Sequence, residues 1–232
     1  MKPANPDPLA QLTEIRAIMD RSSRFLSLSG LSGIGAGVVA LLGSAFSMRL
    51  LESAFQEESG YAAGGYQRML HASAEAREAE LPALLFLAGS MITLTLLVAF
   101  FFTRRRTHQG GQKLWSAPGR RLAVALAVPL VAGGLFCLRL YLGGDVAMVV
   151  PGLLVFYGLA LLNASKYTLD EIRWLGLTQI GLGLVCMLLP DWGLLFFALG
   201  FGLGHIGYGL VMYNRYERPR VAGVAAKPNV SA

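Results

Sequence analysis

Apolar and polar segments alternate along most of the chain, and six long apolar segments dominate the pattern. They cover residues 31–50, 81–103, 122–142, 146–162, 174–189 and 192–213. An α-helix needs about 20 apolar residues to cross a hydrocarbon core of roughly 30 Å. The fourth and fifth segments are short and contain or end at Pro151 and Pro190, so tilted, kinked or partly re-entrant forms stay open beside simple hairpins. The pattern predicts an all-α integral membrane protein, a six-helix bundle at residues 30–217.

Composition agrees with a lipid environment. Of the 232 residues 54% are hydrophobic and only 15% are charged, with a mean hydropathy of +0.53. A soluble domain of this size carries more charge. The two cysteines, Cys137 and Cys186, fall inside predicted spans, where we expect small apolar fillers rather than a disulfide.

The distribution of Lys and Arg predicts the orientation. Sixteen of the 20 fall in the N-terminal arm, the second and fourth loops and the tail. Short loops rich in Lys and Arg stay on the cytoplasmic side, so we expect both termini in the cytoplasm. This bias also accounts for the net charge of +6, and because no recognition motif accompanies it, we expect no nucleic-acid binding.

Several segments resemble one another. Residues 30–42 (GLSGIGAGVVALL) match residues 176–188 (GLTQIGLGLVCML), residues 134–137 match 183–186, and residues 157–159 match 208–210. Together these matches predict three tandem transmembrane helical hairpins, repeated in parallel about an axis along the membrane normal. Biased composition is the alternative explanation, because the chain contains 28 glycines.

Three segments outside the spans have their own patterns. Residues 1–29 read as a cytoplasmic amphipathic arm that binds anionic lipid headgroups, with docking to a cytoplasmic protein partner as the alternative. Residues 51–80 form an acidic outer loop, of which 67–80 extend the second span as a helix. On such a helix His71, Glu75 and Glu78 share a face, for which we favour solvation over metal binding. Residues 218–232 lack periodicity and bulk, which predicts a disordered cytoplasmic tail.

The last span holds the candidate site, because His205 lies there among five glycines. We expect Gly200, Gly204 and Gly207 to form a smooth stripe for helix contact, and Gly202 and Gly209 to leave room beside the imidazole. Ionisable groups at mid-membrane are functional candidates. A structural role stays open, with His205 linking helices through Tyr157, Thr178 or Gln179.

Enzymatic function lacks its usual motifs. No intramembrane Asp or Glu accompanies His205, and the chain has no HExxH motif, nucleophile elbow or phosphate-binding glycine loop. One histidine cannot supply both axial ligands of a haem. We therefore predict no enzyme activity, no cofactor and no metal.

The segment GLTQIGLGLVCMLLPDWGLLFFALGFGLGHIGYGLVMY, a Gly-rich helix, a Pro turn and a Gly-rich return helix, resembles the two-span repeat of acid-resistance membrane proteins of the HdeD type. The likeness covers spans five and six well and spans three and four loosely. It implies a six-span bacterial inner-membrane protein with a stress-linked role. The segment RSSRFLSLSGLSG is also similar to the start of uncharacterised bacterial membrane proteins.

Two functions follow as hypotheses. The first is a non-enzymatic structural, sensory or partner-binding module, whose partner is a membrane or cytoplasmic protein or a second copy of the chain. The second is a transporter or channel for a small solute, with a cavity at His205, Gly202, Gly209, Tyr157 and Gln179. A polar cavity reaching His205 favours transport, and a fully packed His205 favours the module.

Overall fold

The computed structural model describes residue 11 and residues 29–55, 64–109 and 116–218. All regular structure in these ranges is helical, and six helices are long and apolar enough to cross a membrane. They are Gly30–Ala54, Ala74–His108, Ala117–Gly143, Val146–Tyr167, Glu171–Leu188 and Pro190–Tyr216. The prediction of six apolar, membrane-length helices is confirmed. The predicted amphipathic arm and disordered tail lie outside the described residues, apart from Ser29, Arg218 and the exposed, helical Gln11.

The α-helices, numbered in chain order, are α1 (Gly30–Ala54), α2 (Gly65–His71), α3 (Ala74–Gln109), α4 (Ala117–Gly143), α5 (Val149–Ala164), α6 (Glu171–Leu188), α7 (Gly193–Phe197) and α8 (His205–Tyr216). The sixth span consists of α7, a π-helical segment Ala198–Gly204, and α8. The fifth span is α6 alone, and the fourth consists of α5 with a 3-10 turn at each end. Pro151 lies in the first turn of α5, where its missing N–H breaks no helical hydrogen bond.

Local sequence explains where α4 begins and ends. The Ser116 side chain caps its first turn by accepting a hydrogen bond from the Gly119 N–H at 3.3 Å. Gly144 ends the helix in the left-handed conformation, with φ of 92°, which a residue without a Cβ adopts readily. This glycine turn connects α4 directly to its return helix.

Glycines bring two pairs of spans into close contact. A methyl group placed on Gly158 of α5 would lie 2.6 Å from the carbonyl oxygen of Gly176 in α6. One placed on Gly209 of α8 would lie 2.6 Å from the carbonyl oxygen of Gly30 in α1. Backbones therefore touch at both crossings, as in small-residue contacts between membrane helices. α1 also packs against α3, and α4 packs against α5.

The short helix α2 closes one end of the bundle, which we call the α2 end. Gly65 lies against the backbone of Leu51 and Glu52, and the Gln67 side-chain amide donates to the Asp191 carbonyl at 3.1 Å. Arg68 donates through Nε to the Phe55 carbonyl. A buried apolar cluster lies beneath, composed of Leu51, Phe55, Tyr66, Met69, Tyr141 and Val146. The α2 helix thus joins the first span to the turn between α6 and α7.

The prediction of one continuous helix over residues 67–80 is wrong, because the helix is interrupted after His71. The chain is extended at Ala72, with ψ of 158°, so α2 ends at His71 and α3 begins at Ala74. The break places His71 on a different helix from Glu75 and Glu78, so the three do not share one helical face. Within the described ranges, no group of three His, Cys, Asp or Glu residues has metal-binding geometry.

Ion pairs tie helix ends together at the opposite end, which we call the Glu217 end. The Glu217 carboxylate accepts hydrogen bonds from the Gly30 N–H and, at 3.2 Å, from the Ser29 hydroxyl. It also pairs with Arg106 at the end of α3, 2.7 Å away. A carboxylate at a helix N-terminus is stabilised by the unpaired N–H groups there. Glu217 thereby links α1, α3 and α8.

The faces of α3 and α4 that point away from the bundle are apolar. Large exposed side chains on them include Phe86, Ile92, Leu96, Phe101, Val124, Val131 and Leu135. In water such surfaces would be a strong aggregation hazard, whereas acyl chains cover them without cost. The exposed apolar surface fits six membrane-spanning helices.

Candidate functional site

The π-helical segment places the candidate histidine. Residues 198–204 form wide turns, and α8 begins at His205, whose side chain is buried with 8% exposure. π-Helical turns hold one residue more than α-helical ones and loosen the backbone ladder, so carbonyls become available to side chains. Here the available carbonyl is that of Gly200.

Both imidazole nitrogens of His205 have partners. Nδ1 lies 3.4 Å from the Gly200 carbonyl oxygen, and Nε2 lies 2.5 Å from the Tyr157 hydroxyl on α5. A carbonyl oxygen can only accept, so Nδ1 carries the proton and Nε2 accepts from the tyrosine O–H. This is the neutral tautomer of the imidazole, held by a partner on each side.

Aromatic rings pack around this pair. The Phe201 ring is nearly parallel to the imidazole, 10° between planes and 6.3 Å between centroids. It also lies 4.9 Å from the Tyr157 ring, and Tyr157 lies 5.3 Å from the imidazole. Phe201 therefore covers one side of the hydrogen-bonded pair of His205 and Tyr157 with apolar surface.

Gln179 of α6 completes the polar cluster. It is fully buried, and its Nε2 donates to the same Gly200 carbonyl at 2.7 Å. Of the links considered from sequence, Tyr157 hydrogen-bonds to His205 directly, whereas Gln179 shares only the Gly200 carbonyl with it. Thr178 does not take part, because its hydroxyl is exposed and donates to the Trp174 carbonyl of its own helix.

The predicted room beside the imidazole is occupied. A methyl group on Gly202 would meet the Leu41 side chain of α1, and Gly209 lies against Gly30 and Ile34 of the same helix. These two glycines admit α1 instead of leaving a cavity. Gly200, Gly204 and Gly207 also do not form one contact stripe. A methyl on Gly200 would meet Gln179 and Leu154, whereas nothing lies within 4 Å of a methyl on Gly207.

In spans five and six, three side-chain oxygens are buried in the described structure without a hydrogen-bond partner. They are Oε2 of Glu171, Oε1 of Gln179 and the hydroxyl of Tyr208. The other Glu171 oxygen is well paired, with Arg215 and the Tyr216 hydroxyl each at 2.7 Å. Buried polar atoms are nearly always satisfied, so these three are exceptions within the described structure, and all of them belong to spans five and six.

A pocket at the α2 end was not found by sequence reasoning. It has a volume of about 550 Å³ and lies between α1, α2 and α7. Its apolar walls include Leu41, Ala45, Met48, Leu194, Leu195 and Ala198, and its polar margin is formed by Glu52, Tyr66, Gln67 and Asp191. Only the acidic character of the loop hinted at it, since α2 and the Pro190 turn meet through tertiary packing.

Tyr66 stands out among these residues. Its side chain has 8% exposure, and its hydroxyl is buried without a hydrogen-bond partner in the described structure. Burial, followed by the nearby Cys186 and Asp191, raises the pKa of this phenol above its ordinary value. Tyr66 is therefore a neutral group that can both donate and accept a hydrogen bond.

Comparison of the chain with protein-family models, with curated proteins and with solved structures finds no match.

Proposed function

We propose that this protein is a non-enzymatic structural, sensory or partner-binding module of the bacterial inner membrane, with a stress-linked role. The observation that carries the proposal is the packing of His205. Both of its nitrogens have partners, aromatic rings enclose it, and α1 fills the space beside Gly202 and Gly209. Such a histidine holds helices together rather than contacting a solute.

The proposal includes an orientation. The Glu217 end faces the cytoplasm, because Arg106 and Arg215, which belong to two of the Arg- and Lys-rich segments, form ion pairs at that end of the spans. Alkaline phosphatase fused after residue 60 is then active outside the cytoplasm, and green fluorescent protein fused after residue 218 fluoresces inside it. The reverse pattern would overturn the orientation.

It also includes three tandem hairpins. The crossings of α5 with α6 and of α8 with α1 support the repeat, because they use matched residues. Methyl groups on Gly158 and Gly209 would contact Gly176 and Ile180 in one case, and Gly30 and Ile34 in the other. The sequence matches pair Gly158 with Gly209 and Gly176 with Gly30, so the two crossings have equivalent contacts.

Thiol accessibility distinguishes the module from a transporter. In a chain whose Cys137 and Cys186 are replaced by alanine, His205→Cys should resist hydrophilic thiol reagents applied from either side of the membrane. Arg49→Cys, a position with a highly exposed side chain, is the control that should react. Rapid labelling of the cysteine at position 205 would overturn the packed-module reading.

A second experiment addresses the stress-linked role. In cells lacking the endogenous copy, we expect His205→Phe to lower the thermal stability of the purified protein and to weaken tolerance of stress in proportion to the folded protein that remains. Solute uptake should not change. A variant that keeps its stability but loses a solute flux would favour transport.

The transporter hypothesis retains one supporting observation. Glu171, Gln179 and Tyr208 each leave a buried polar atom without a partner, and water bound to these atoms would extend from the Glu217 end toward His205. A thiol at position 205 that reacts only from that side, and is protected by a transported solute, would establish this function instead.

A further inference from the structure

Two helix crossings of the bundle share one set of contacts. We call α1, α4 and α6, which run from the Glu217 end to the α2 end, outgoing helices, and α3, α5 and the sixth span return helices. A methyl group on Gly37 of α1 would lie 2.5 Å from the carbonyl oxygen of Gly202 in the sixth span. One on Gly183 of α6 would lie 3.0 Å from the carbonyl oxygen of Pro151 in α5. The sequence match pairs Gly37 with Gly183, so these two outgoing helices present the same face to a return helix.

The third outgoing helix, α4, has this face exposed. Its sequence match with α6 pairs Gly134 with Gly183 and Ala127 with Gly176. Nothing in the described structure lies within 4 Å of a methyl group on Gly134, and Ala127 is exposed. The larger residues between them on this face are exposed too, Leu130 at 40% and Val131 at 62%. The face that a return helix covers in α1 and α6 is therefore uncovered in α4.

The return helix that would complete this third crossing is α3, which is held against α1. A methyl group on Gly35 of α1 would collide with the Val98 side chain of α3. An ion pair of Arg106 ties the last turns of α3 to the Glu217 end. In the described structure α3 and α4 do not pack along their lengths. α3 therefore cannot cover the α4 face of its own chain without leaving α1.

The side of α3 that points away from α1 is suited to a helix contact. Gly89 and Thr93 lie one turn apart on this side, and nothing lies within 4 Å of a methyl group on Gly89. The Thr93 hydroxyl donates to the Gly89 carbonyl at 2.8 Å, so it brings no unsatisfied group to an interface. Small residues four positions apart let membrane helices approach closely. α3 is also the least enclosed span, with 6% of its apolar section buried against 22–33% in the other five.

The two exposed faces lie at the same depth. The Tyr141 hydroxyl donates to the Arg77 carbonyl at 2.8 Å, which aligns α4 with α3 at the α2 end. From that level, Gly89 and Thr93 are about 18 and 24 Å along α3, and Ala127 is about 21 Å along α4. The helices run in opposite directions, as in both existing crossings. Copies in one bilayer share depth and orientation, so α3 of one copy can meet α4 of another at this level.

We propose that the occupant of the α4 face is a second copy of this chain, whose α3 packs there through Gly89 and Thr93. A two-fold axis along the membrane normal makes the contact reciprocal, because α3 and α4 of each copy adjoin at the α2 end. The inference rests on the partner-binding function and the tandem hairpins proposed above, and it names the partner. It supplies the third crossing that the hairpins of one chain leave open.

Disulfide trapping tests the contact directly. In a chain whose Cys137 and Cys186 are replaced by alanine, one population carries Gly89→Cys and a second, with a different tag, carries Ala127→Cys. The two are expressed together, and the isolated membranes are oxidised. We expect mixed dimers to exceed either homodimer several-fold, because a disulfide requires Cα atoms within about 7 Å. Gly181→Cys, an exposed position on α6 with nothing within 4 Å, replaces Ala127→Cys in the control and should give little product.

A second measurement uses the association equilibrium. Energy transfer between two labelled populations, in vesicles of phosphatidylcholine and phosphatidylglycerol, should show dimers that dissociate as lipid is added. Ala127→Trp should weaken dimerisation by about tenfold, since it overpacks a close contact. Gly181→Trp should leave it unchanged. Both variants should keep the helical circular dichroism of the parent, because each side chain points away from its own bundle.

Several outcomes would overturn the proposal. Trapping between positions 89 and 127 no stronger than between 89 and 181 would indicate that lipid alone covers α4. Stronger trapping between two cysteines at position 127 would indicate pairing of α4 with α4. Either result leaves the thiol test at position 205 unchanged, so failure of this inference and failure of the packed module are distinguishable. If Ala127→Trp fails to fold, the single-cysteine populations still decide the question.

Discussion

The sharpest prediction concerns two glycines of one helix, Gly207 and Gly209. A methyl group on Gly209 would lie 2.6 Å from both the Gly30 carbonyl oxygen and the Ile34 nitrogen, whereas one on Gly207 has nothing within 4 Å. Contacts of this kind are comfortable at about 3.5 Å, so Gly209→Ala forces α8 and α1 apart by nearly 1 Å. Gly207→Ala requires no movement.

The magnitude follows from two opposing terms. Overpacking of a tight contact costs about 1–3 kcal/mol. Alanine also stabilises a helix by about 1 kcal/mol relative to glycine, but this gain is common to both variants and cancels in their difference. We therefore expect Gly209→Ala to be less stable than Gly207→Ala by about 1–3 kcal/mol, or several degrees in Tm.

Thermal unfolding of the purified protein in one detergent measures the difference. Gly207→Ala should keep or raise the Tm of the parent, and Gly209→Ala should lower it. Gly158→Ala, at the matched crossing with Gly176, should behave like Gly209→Ala. Equal Tm values for the variants at positions 207 and 209 would refute the close contact between α8 and α1.

Three further predictions concern single side chains. Glu217→Gln should destabilise the protein by about 1–2 kcal/mol, because it weakens the charge-assisted contact with Arg106, whereas Glu78→Gln should change its Tm little. Burial raises the pKa of Tyr66, so the unfolded chain releases the phenol proton at a lower pH than the folded protein does. The free energy of unfolding should therefore fall as the pH rises above about 10. In Tyr66→Phe, ultraviolet titration should lack the late-titrating phenol, and unfolding should lack this fall. Gln179→Met should change stability by less than about 1 kcal/mol, because the lost hydrogen bond to Gly200 is offset by removal of an unpaired oxygen, and a larger loss would indicate bound water at Oε1.

Much of the helical framework could be predicted from sequence, because hydropathy alone marks segments that must leave water. All six spans lie where apolar runs placed them, and Gly144 and Pro190 lie at turns. The break at Ala72 was missed because Ala- and Glu-rich sequence favours helix on both sides. Contacts of α2 with Phe55 and Asp191 accompany the break.

The polar cluster was partly predictable. His205 is the only histidine within an apolar segment, and its contacts with Tyr157 and Gly200 follow from the need to satisfy two ring nitrogens. The role of Gly202 and Gly209 was not predictable, because a glycine only makes space and the sequence does not say which neighbour fills it. In the structure α1 fills the space, with Leu41 beside Gly202 and with Gly30 and Ile34 beside Gly209.

The π-helical segment has a consequence for relatives of this chain. A π turn equals an α turn with one residue inserted, so the span before Ala198 and the span after Gly204 are out of phase by about 100°. The first part can then direct Leu194 and Leu195 into the α2-end pocket while the second directs Gly209 at α1. A one-residue deletion between positions 198 and 204 would restore the phase and misalign one of these two faces. Segment length, more than residue identity, should therefore show which homologues keep both features.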